Sequence, residues 1–338
     1  MDISVIIPAY NCAKLIKEAV DSIFKSQLSV AEIIIINDGS SDDTGTVAKE
    51  LSKKYSTVRI IDQNNTGVSA ARNRGILEAS GEYLMFMDAD DALEPGSLAD
   101  ADRILGESRP DMLLFGLSFD YYHRSRCYRS DKLVYPKSGL MSRTEWGAEL
   151  TGLYRANMLS PVWNKLIRRE LVIDHAISFH EEMIEMEDYL FSVACLARCG
   201  NIYLLDRIVY RYRQAENERG TYNRLWRIKS LSDYVRPFYD AAQLFGSEAP
   251  EIVRIADQIY SVLFCEQIRF ASVRQIRVAA EDMLSGCRRH VIERLNPRLY
   301  QALKNKKYLN VWVKRTVSRI RHRAAVYLKY RRSLKNKG

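Results

Sequence analysis

The sequence predicts an α/β fold, a mostly parallel central sheet flanked by helices and followed by an α-helical C-terminal region. Three observations point to it. Short apolar runs alternate with segments of helical periodicity between residues 3 and 91. The run Ile33–Ile36 is apolar on both faces, as in a strand covered by helices on either side. Beyond residue 221 the apolar spacing becomes that of long helices, as at Ile252, Ile255, Ile259, Val262 and Leu263.

The elements follow in order. Ser4–Tyr10 (SVIIPAY) reads as the first strand. Ala13–Ser26 carries Leu15, Ile16, Ala19, Val20, Ile23 and Phe24 at helical spacing. Glu32–Asp38 is a second strand, and Asp42-Asp43-Thr44 opens a helix to about Tyr55, with acids where a helix N-terminus favours them. Val58–Asp62 is a third strand, Ser69–Ala79 a helix that stops near Gly81, and Glu82–Asp88 a fourth strand. This alternation calls for right-handed crossovers and parallel pairing. Leu93–Leu105 then reads as helix, Asp111–His123 as strand followed by a polar loop, 144–157 and 182–199 as helices, and Asn201–Arg213 as a closing strand. The polar stretch Glu216–Gly220 marks a boundary, giving 1–216, a helical region over 221–300, and a tail over 301–338.

The 338 residues, 47% hydrophobic and 28% charged, exclude a disordered chain and suit one large domain or two smaller ones. The apolar runs are too short to span a bilayer, and Met1-Asp2 leads straight into ISVIIPAY with no basic leader, so a cytosolic protein is expected. Six cysteines are scattered, and the one close pair, Cys195 and Cys199, lacks a second pair to complete a zinc site. Buried, reduced thiols are expected. The net charge of +9 is uneven: residues 301–338 hold 13 Lys/Arg and no Asp/Glu, leaving 38 basic against 42 acidic residues in the rest.

In open α/β sheets ligands bind beyond the carboxyl ends of the strands. Here the first strand ends on Pro8-Ala9-Tyr10-Asn11, the second on Asn37–Asp42 (NDGSSD), and the fourth on Asp88-Ala89-Asp90-Asp91, while the third is followed by Asn64–Asn73. Tyr10 offers an aromatic face to a planar base, and Asp38 can accept from a base N–H. Gly39 and Gly67 allow close backbone approach. Arg72 can bind a base carbonyl or a phosphate. Asp88 can accept from ribose hydroxyls, and Asp90 can hold a hard divalent cation that bridges to phosphates. Each segment alone has a plainer explanation, an acidic turn or a turn with a helix cap. Their convergence on one sheet edge argues for a site. Asp91 is left between a supporting role and a cap for the helix after Leu93.

PAYN, NDGSSDDT, NTGVSAARNRG and MDADD, in this order and spacing, resemble the family 2 glycosyltransferases with a GT-A, Rossmann-like fold. The resemblance extends over about residues 2–215. SPVWNKLIRRELV resembles the segment before the acceptor site of bacterial capsule, exopolysaccharide and cell-wall polysaccharide members, Glu187–Phe191 their acidic catalytic motif, and Tyr210–Arg213 their closing YxYR-type segment. It implies an inverting transfer from a nucleotide-sugar donor, a UDP-sugar by expectation, to a saccharide or lipid-linked saccharide acceptor. It implies Asp188 as the base with Glu187 beside it, a Mn²⁺ or Mg²⁺ ion on Asp90, and diphosphate or acceptor contacts from Trp163, Lys165, Arg211 and Arg213. Donor contacts would come from Pro8, Ala9, Tyr10, Asn11, Asp38, Gly67, Arg72, Asp88, Ala89 and Asp90. One departure is visible: Asn37 stands where the family often has an acid.

Two rival readings stay in view. A nucleotidyltransferase would carry a Gly-rich basic loop after the first strand, where this chain has PAYNCAK. A non-catalytic nucleotide-sugar or membrane-binding protein on a degenerate transferase fold would not need Asp88, Asp90, Glu187 and Asp188 together. In 308–334, Val313, Val317, Ile320, Ala324, Tyr327 and Leu328 recur at helical spacing among Lys and Arg. That is the composition of a helix lying on an anionic membrane surface, here the inner face of the cell membrane. The alternative is a helix packed on the preceding helical region. No nucleic-acid motif is present. Assembly into a homo-oligomer is left open.

Overall fold

A computed structural model of the chain describes residues 2–123, 126–155, 158, 161–183, 186–215, 236–243, 245, 249–269, 272–285, 289–308 and 311. The chain divides into two units. The first comprises 1–182 and 186–216, and the second 183–185 and 217–338.

The first unit is built on a ten-stranded sheet. Four strands form its N-terminal half: β1 (Ile3–Ala9), β2 (Glu32–Asp38), β3 (Val58–Gln63) and β4 (Tyr83–Phe86). They lie in the order β3-β2-β1-β4 and all pair in parallel, as the sequence predicts. The connecting helices are α1 (Ile16–Lys25), α2 (Thr44–Lys54) and α3 (Val68–Glu78). Ile33–Ile36 of β2 are wholly buried, the consequence of helices covering both faces. α1 turns Ile16, Ala19, Val20 and Ile23 to the sheet. α3 lies so close to β1 that a Cβ on Gly75 would sit 2.3 Å from Ile6 Cγ2, so only glycine fits there.

The second half of the sheet changes direction. Beyond β4 come β9 (Lys165–Arg168), β6 (Met112–His123), β10 (Asn201–Ala215) and β5 (Ala92–Leu93). β9 runs antiparallel to both β4 and β6, while β6 and β10 pair in parallel. β5 pairs antiparallel with β10 at Leu93 and Ala92, where the sequence suggested the start of a helix. Helix α4 begins only at Ala101 (Ala101–Ser108). The cause is local: Pro95 disfavours the helical region at Glu94, and Gly96 takes φ +67°. The expected polar loop after His123 contains two strands, β7 (Arg126–Leu133) on β6 and β8 (Gly139–Ser142) on β10. Helices α5 (Arg143–Arg155), α6 (Arg169–Asp174) and α7 (Glu187–Leu196) complete the unit.

The second unit is helical where described, with helices over Arg236–Gln243, Ala249–Arg269, Val273–Ser285, Arg289–Leu295 and Pro297–Lys304. Ile255, Ile259, Leu263, Ile276, Met283, Ile292 and Leu303 form its core. Val262, expected in the apolar stripe, lies at its rim and is exposed. Buried Asp257 accepts from the Tyr239 hydroxyl at 2.7 Å and pairs with Arg294. No helix among the described residues is long and apolar enough to cross a membrane. Except for Tyr308 and Val311, the basic segment 308–334 lies outside the described residues.

Candidate active site

The carboxyl ends of β1, β2 and β3 are laced together by hydrogen bonds from uncharged donors. After β1, Asn11 adopts a left-handed conformation (φ 50°). Its Oδ1 accepts from Ser41 N at 2.8 Å and Asp42 N at 3.3 Å, and its own N–H donates to Ser40 Oγ. Asn11 thus ties the end of β1 to the turn after β2. Asp38, at the end of β2, accepts from Thr66 N (2.9 Å), Gln63 Nε2 (2.8 Å) and Gly67 N (2.8 Å). The carboxylate fixes the loop that leads into α3. Gly39 beside it has φ +67°, and a Cβ there would meet Asn65 N at 2.7 Å, so the two loops touch because this position is glycine. Asn37, in place of the acid often found there, donates to Asp62 Oδ1 at 2.7 Å and joins β2 to β3.

Against this braced edge Tyr10 stands out. It is 53% exposed, a large aromatic face turned to solvent. Pro8 is half-buried, whereas Ala9 and Ala89 belong to the core, so their contribution to a site is through backbone.

The acids after β4 divide by burial. Asp88 and Asp90 are half-buried, and Asp91 is buried. Asp91 accepts from the Tyr210 hydroxyl (2.7 Å) and Arg213 N (2.7 Å), and Tyr210 accepts from Asp88 N at 3.1 Å. Burial, reinforced by the charges of Asp88 and Asp90, pushes the Asp91 carboxyl well above the usual range. Asp91 is therefore the anchor that seats β10 against the end of β4, and the helix-cap alternative falls away.

The second ionic cluster gathers on Arg72 of α3. Arg72 is 3% exposed; its Nη2 donates to Asp88 Oδ1 at 2.9 Å and Nη1 to Asp188 Oδ1 at 2.6 Å, with Glu187 Oε1 3.7 Å away. Asp188 and Glu187 are the first-turn acids of α7, whose preceding residue, Met186, takes φ 71°. Burial raises the Asp188 carboxyl to about 7; Arg72 opposes this, while Glu187 and Asp88 add to it. Asn73 fixes the approach to α7, its amide bonding Phe179 O (2.9 Å) and N (2.8 Å). His180 pairs locally with Glu182 at 2.9 Å.

The four residues expected to contact diphosphate or acceptor are each engaged within the chain. Lys165 is fully buried on β9; its Nζ donates to Pro161 O and lies 3.3 Å from Ser192 Oγ of α7. Burial lowers this amine to about 7, and with its Nζ enclosed against Pro161 O and Ser192 Oγ it props α7 from within and is not open to a diphosphate. Trp163 is nearly buried, stacked on Tyr210 (4.3 Å) and Tyr212 (5.4 Å). Arg211 pairs with buried Asp120 at 3.0 Å, and Arg213 with Glu18 of α1. Sequence reasoning passed over Tyr210, Gln63 and Thr66 as site residues. The alternation in Tyr210-Arg211-Tyr212-Arg213 was the available signal for Tyr210: aromatic side chains on one face of β10, guanidiniums on the other.

Among the described residues no group of three or more His, Cys, Asp or Glu side chains is arranged to hold a metal. The donors after β4 are carboxylate oxygens, the set a hard divalent cation takes, and such an ion commonly completes its shell with substrate phosphates and water. The residues fit a cation held in part by its substrate.

The model of the family described as Glycosyl transferase family 2 matches residues 4–173. The uncharacterized glycosyltransferase EpsJ of Bacillus subtilis is 33% identical over 221 residues, covering 64% of this chain and 62% of EpsJ. The chain thus spans about three fifths of that relative in the match. TarS of Staphylococcus aureus, a poly(ribitol-phosphate) beta-N-acetylglucosaminyltransferase, is 28% identical over 255 residues, covering 73% of this chain and 40% of TarS. The structure of TarS 1–349 with UDP-GlcNAc superposes with a TM-score of 0.64 at 20% identity, over 96% of this chain and 92% of that one. The mannosyltransferase PcManGT of Pyrobaculum calidifontis, solved with GDP-Man and Mn²⁺, gives 0.51 at 15% identity over 93% and 86%. The GT-A arrangement of the sheet and the strand-end motifs agree with these matches: the chain belongs to glycosyl transferase family 2.

Proposed function

We propose that this chain is an inverting, metal-dependent glycosyltransferase. It takes a sugar from a nucleotide donor, a UDP-sugar by preference, and passes it to a saccharide or lipid-linked saccharide in the building of a surface polysaccharide. The observation that carries the reading is the joining of Asp188 to Asp88 through Arg72, which puts a carboxyl raised to about 7 beside the edge where Tyr10 and Asp88 would meet a nucleoside. The UDP-GlcNAc bound by TarS is consistent with the donor class.

In this reading the base stacks on Tyr10, and the free lone pairs of Asp88 accept from the ribose. Asp38, its oxygens largely committed to the 63–67 loop, shapes the base pocket and has at most one lone pair to offer a base N–H. Asp188 takes the proton of the acceptor hydroxyl as it attacks the anomeric carbon from the face opposite the departing diphosphate. Glu187, next to it, favours a high proton affinity. A divalent ion on Asp90 would supply charge neutralisation for the leaving diphosphate. The basic segment 308–334 would hold the enzyme on an anionic membrane at the cytoplasmic face.

A thermal-shift screen of nucleotide sugars with Mn²⁺ or Mg²⁺ tests the class: one UDP-sugar should raise Tm in the presence of metal, and less so in Asp90→Ala. No shift with any nucleotide sugar, with or without metal, would sink the reading. For the tail, co-sedimentation with anionic liposomes should be lost on removing 308–338; unchanged sedimentation would sink that part alone.

A further inference from the structure

Arg72 is oriented in a way that donor binding does not explain. Both terminal nitrogens of its buried guanidinium are turned to carboxylates of the chain itself, Asp88 at 2.9 Å and Asp188 at 2.6 Å, residues 16 and 116 positions away. Its Nε has no hydrogen-bond partner, and the group lies 5.3 Å from the Phe179 ring centroid. The remaining N–H groups, on Nε and one on each terminal nitrogen, belong to a residue that is 3% exposed, so little of the guanidinium is open to a base or phosphate while both pairs are in place.

We infer that Arg72 is a positioning residue: it keeps Asp188 ionised and aligned and couples it to the Asp88 end of the donor site, without itself binding the donor. The inference rests on the reading of Asp188 as the base. The groups facing Asp188 are Arg72 from α3, Glu187 from α7, Asp88 from the end of β4 and Lys165 from β9. Burial and the two carboxylates favour the protonated acid, which cannot accept a proton. Of the two opposing cations Arg72 acts more strongly, and Lys165 is itself pressed toward neutrality by burial. A planar fork suits this place because it serves two carboxylates from different elements at once, which a point charge does not.

The test uses the full chain with Arg72→Gln and Arg72→Lys. Three quantities are measured: transfer from pH 5 to pH 9, UDP affinity by calorimetry with Mg²⁺, and the ¹³C carboxyl resonance of Asp188, assigned with Asp188→Asn. In R72Q the Asp188 titration and the acidic limb of kcat should move up by about one to three pH units. At pH 7 kcat should fall about tenfold or more and recover in part at pH 9, with UDP affinity within about threefold of the parent. R72K should give a smaller upward shift, and if R72Q does not fold, R72K decides by the same readouts. An unmoved Asp188 titration together with a matching loss of UDP affinity would overturn the inference and make Arg72 a donor ligand. If the resonance moves as expected but D188N transfers at the parent rate, the coupling stands and the assignment of the base fails.

Discussion

At the end of β2, Asp38 accepts from two backbone N–H groups and the Gln63 amide; at the start of α7, Asp188 meets the Arg72 guanidinium and two further carboxylates, Glu187 and Asp88. Asp38, at a strand end, is buried, whereas Asp188, in the first turn of α7, is half-buried. The first has its lone pairs filled by neutral donors that come with the loop, and it serves to hold that loop still. The second has one short ionic contact set against burial and like charge, which lifts its proton affinity into the neutral range. The comparison separates an acid that builds the site from an acid that works in it. Hydrogen-bond satisfaction draws this line where residue type does not.

The largest effect that would sharpen the contrast is on rate. Asp188→Asn removes the proton acceptor with almost no change of shape, so kcat should drop by about 10²- to 10⁴-fold while UDP affinity holds. A parent-like rate, measured by UDP release, breaks the comparison. Asp38→Ala should act on stability. It leaves Thr66 N and Gly67 N without their acceptor, and urea unfolding should show a loss of about 2–3 kcal/mol, with weaker nucleotide binding as the loop loosens. Tyr210→Phe removes one hydroxyl that links Asp91 to the Asp88 backbone, an expected cost of about 1 kcal/mol in the same assay. Lys17→Ala, which breaks an exposed pair with Asp21 on α1, should change stability by less than about 0.5 kcal/mol. A Lys17 effect as large as that of Asp38 would mean that neutral bracing is not what distinguishes the β2 end.

Much of the N-terminal half was legible because its signals are local. Alternating apolar runs and helical spacing place β1–β4 and α1–α3 within a few residues, and the polar segments at four strand ends identify the site edge before any contact is known. What escaped depends on contacts made far along the chain. The partner of Arg72 lies 116 residues away, and nothing near residue 72 says whether its guanidinium faces a ligand or an internal acid. Lys165 is of a residue type that composition assigns to the surface, yet β9 is an inner strand between β4 and β6, and its side chain is enclosed beside Ser192 of α7. β7 was missed because its residues are polar on both faces, as an edge extension allows. β5 was missed because the helical spacing of Leu98, Ala101, Ile104 and Leu105 was carried back to Leu93 across a Pro-Gly break.

The same aspartate makes a prediction for stability against pH. Folded Asp188 keeps its proton up to about 7, whereas the unfolded chain releases it near 3.8. Between those values the native state binds more protons, so its contribution is stabilising at low pH and is lost as pH rises across the window. Asp91, raised by the same cause, adds in the same direction.

The most direct measurement is the pH dependence of kcat from pH 5 to pH 9 with a UDP-sugar that the screen selects, at saturating donor and acceptor. The account predicts a single acidic limb with a midpoint near 7, flattening above it, because one carboxyl beside Arg72 must be ionised for transfer. A profile that is flat between pH 5 and pH 8, or one whose midpoint stays near 4, would contradict it: Asp188 would then be an ordinary ion-paired acid, held by its guanidinium in the way Asp38 is held by its loop.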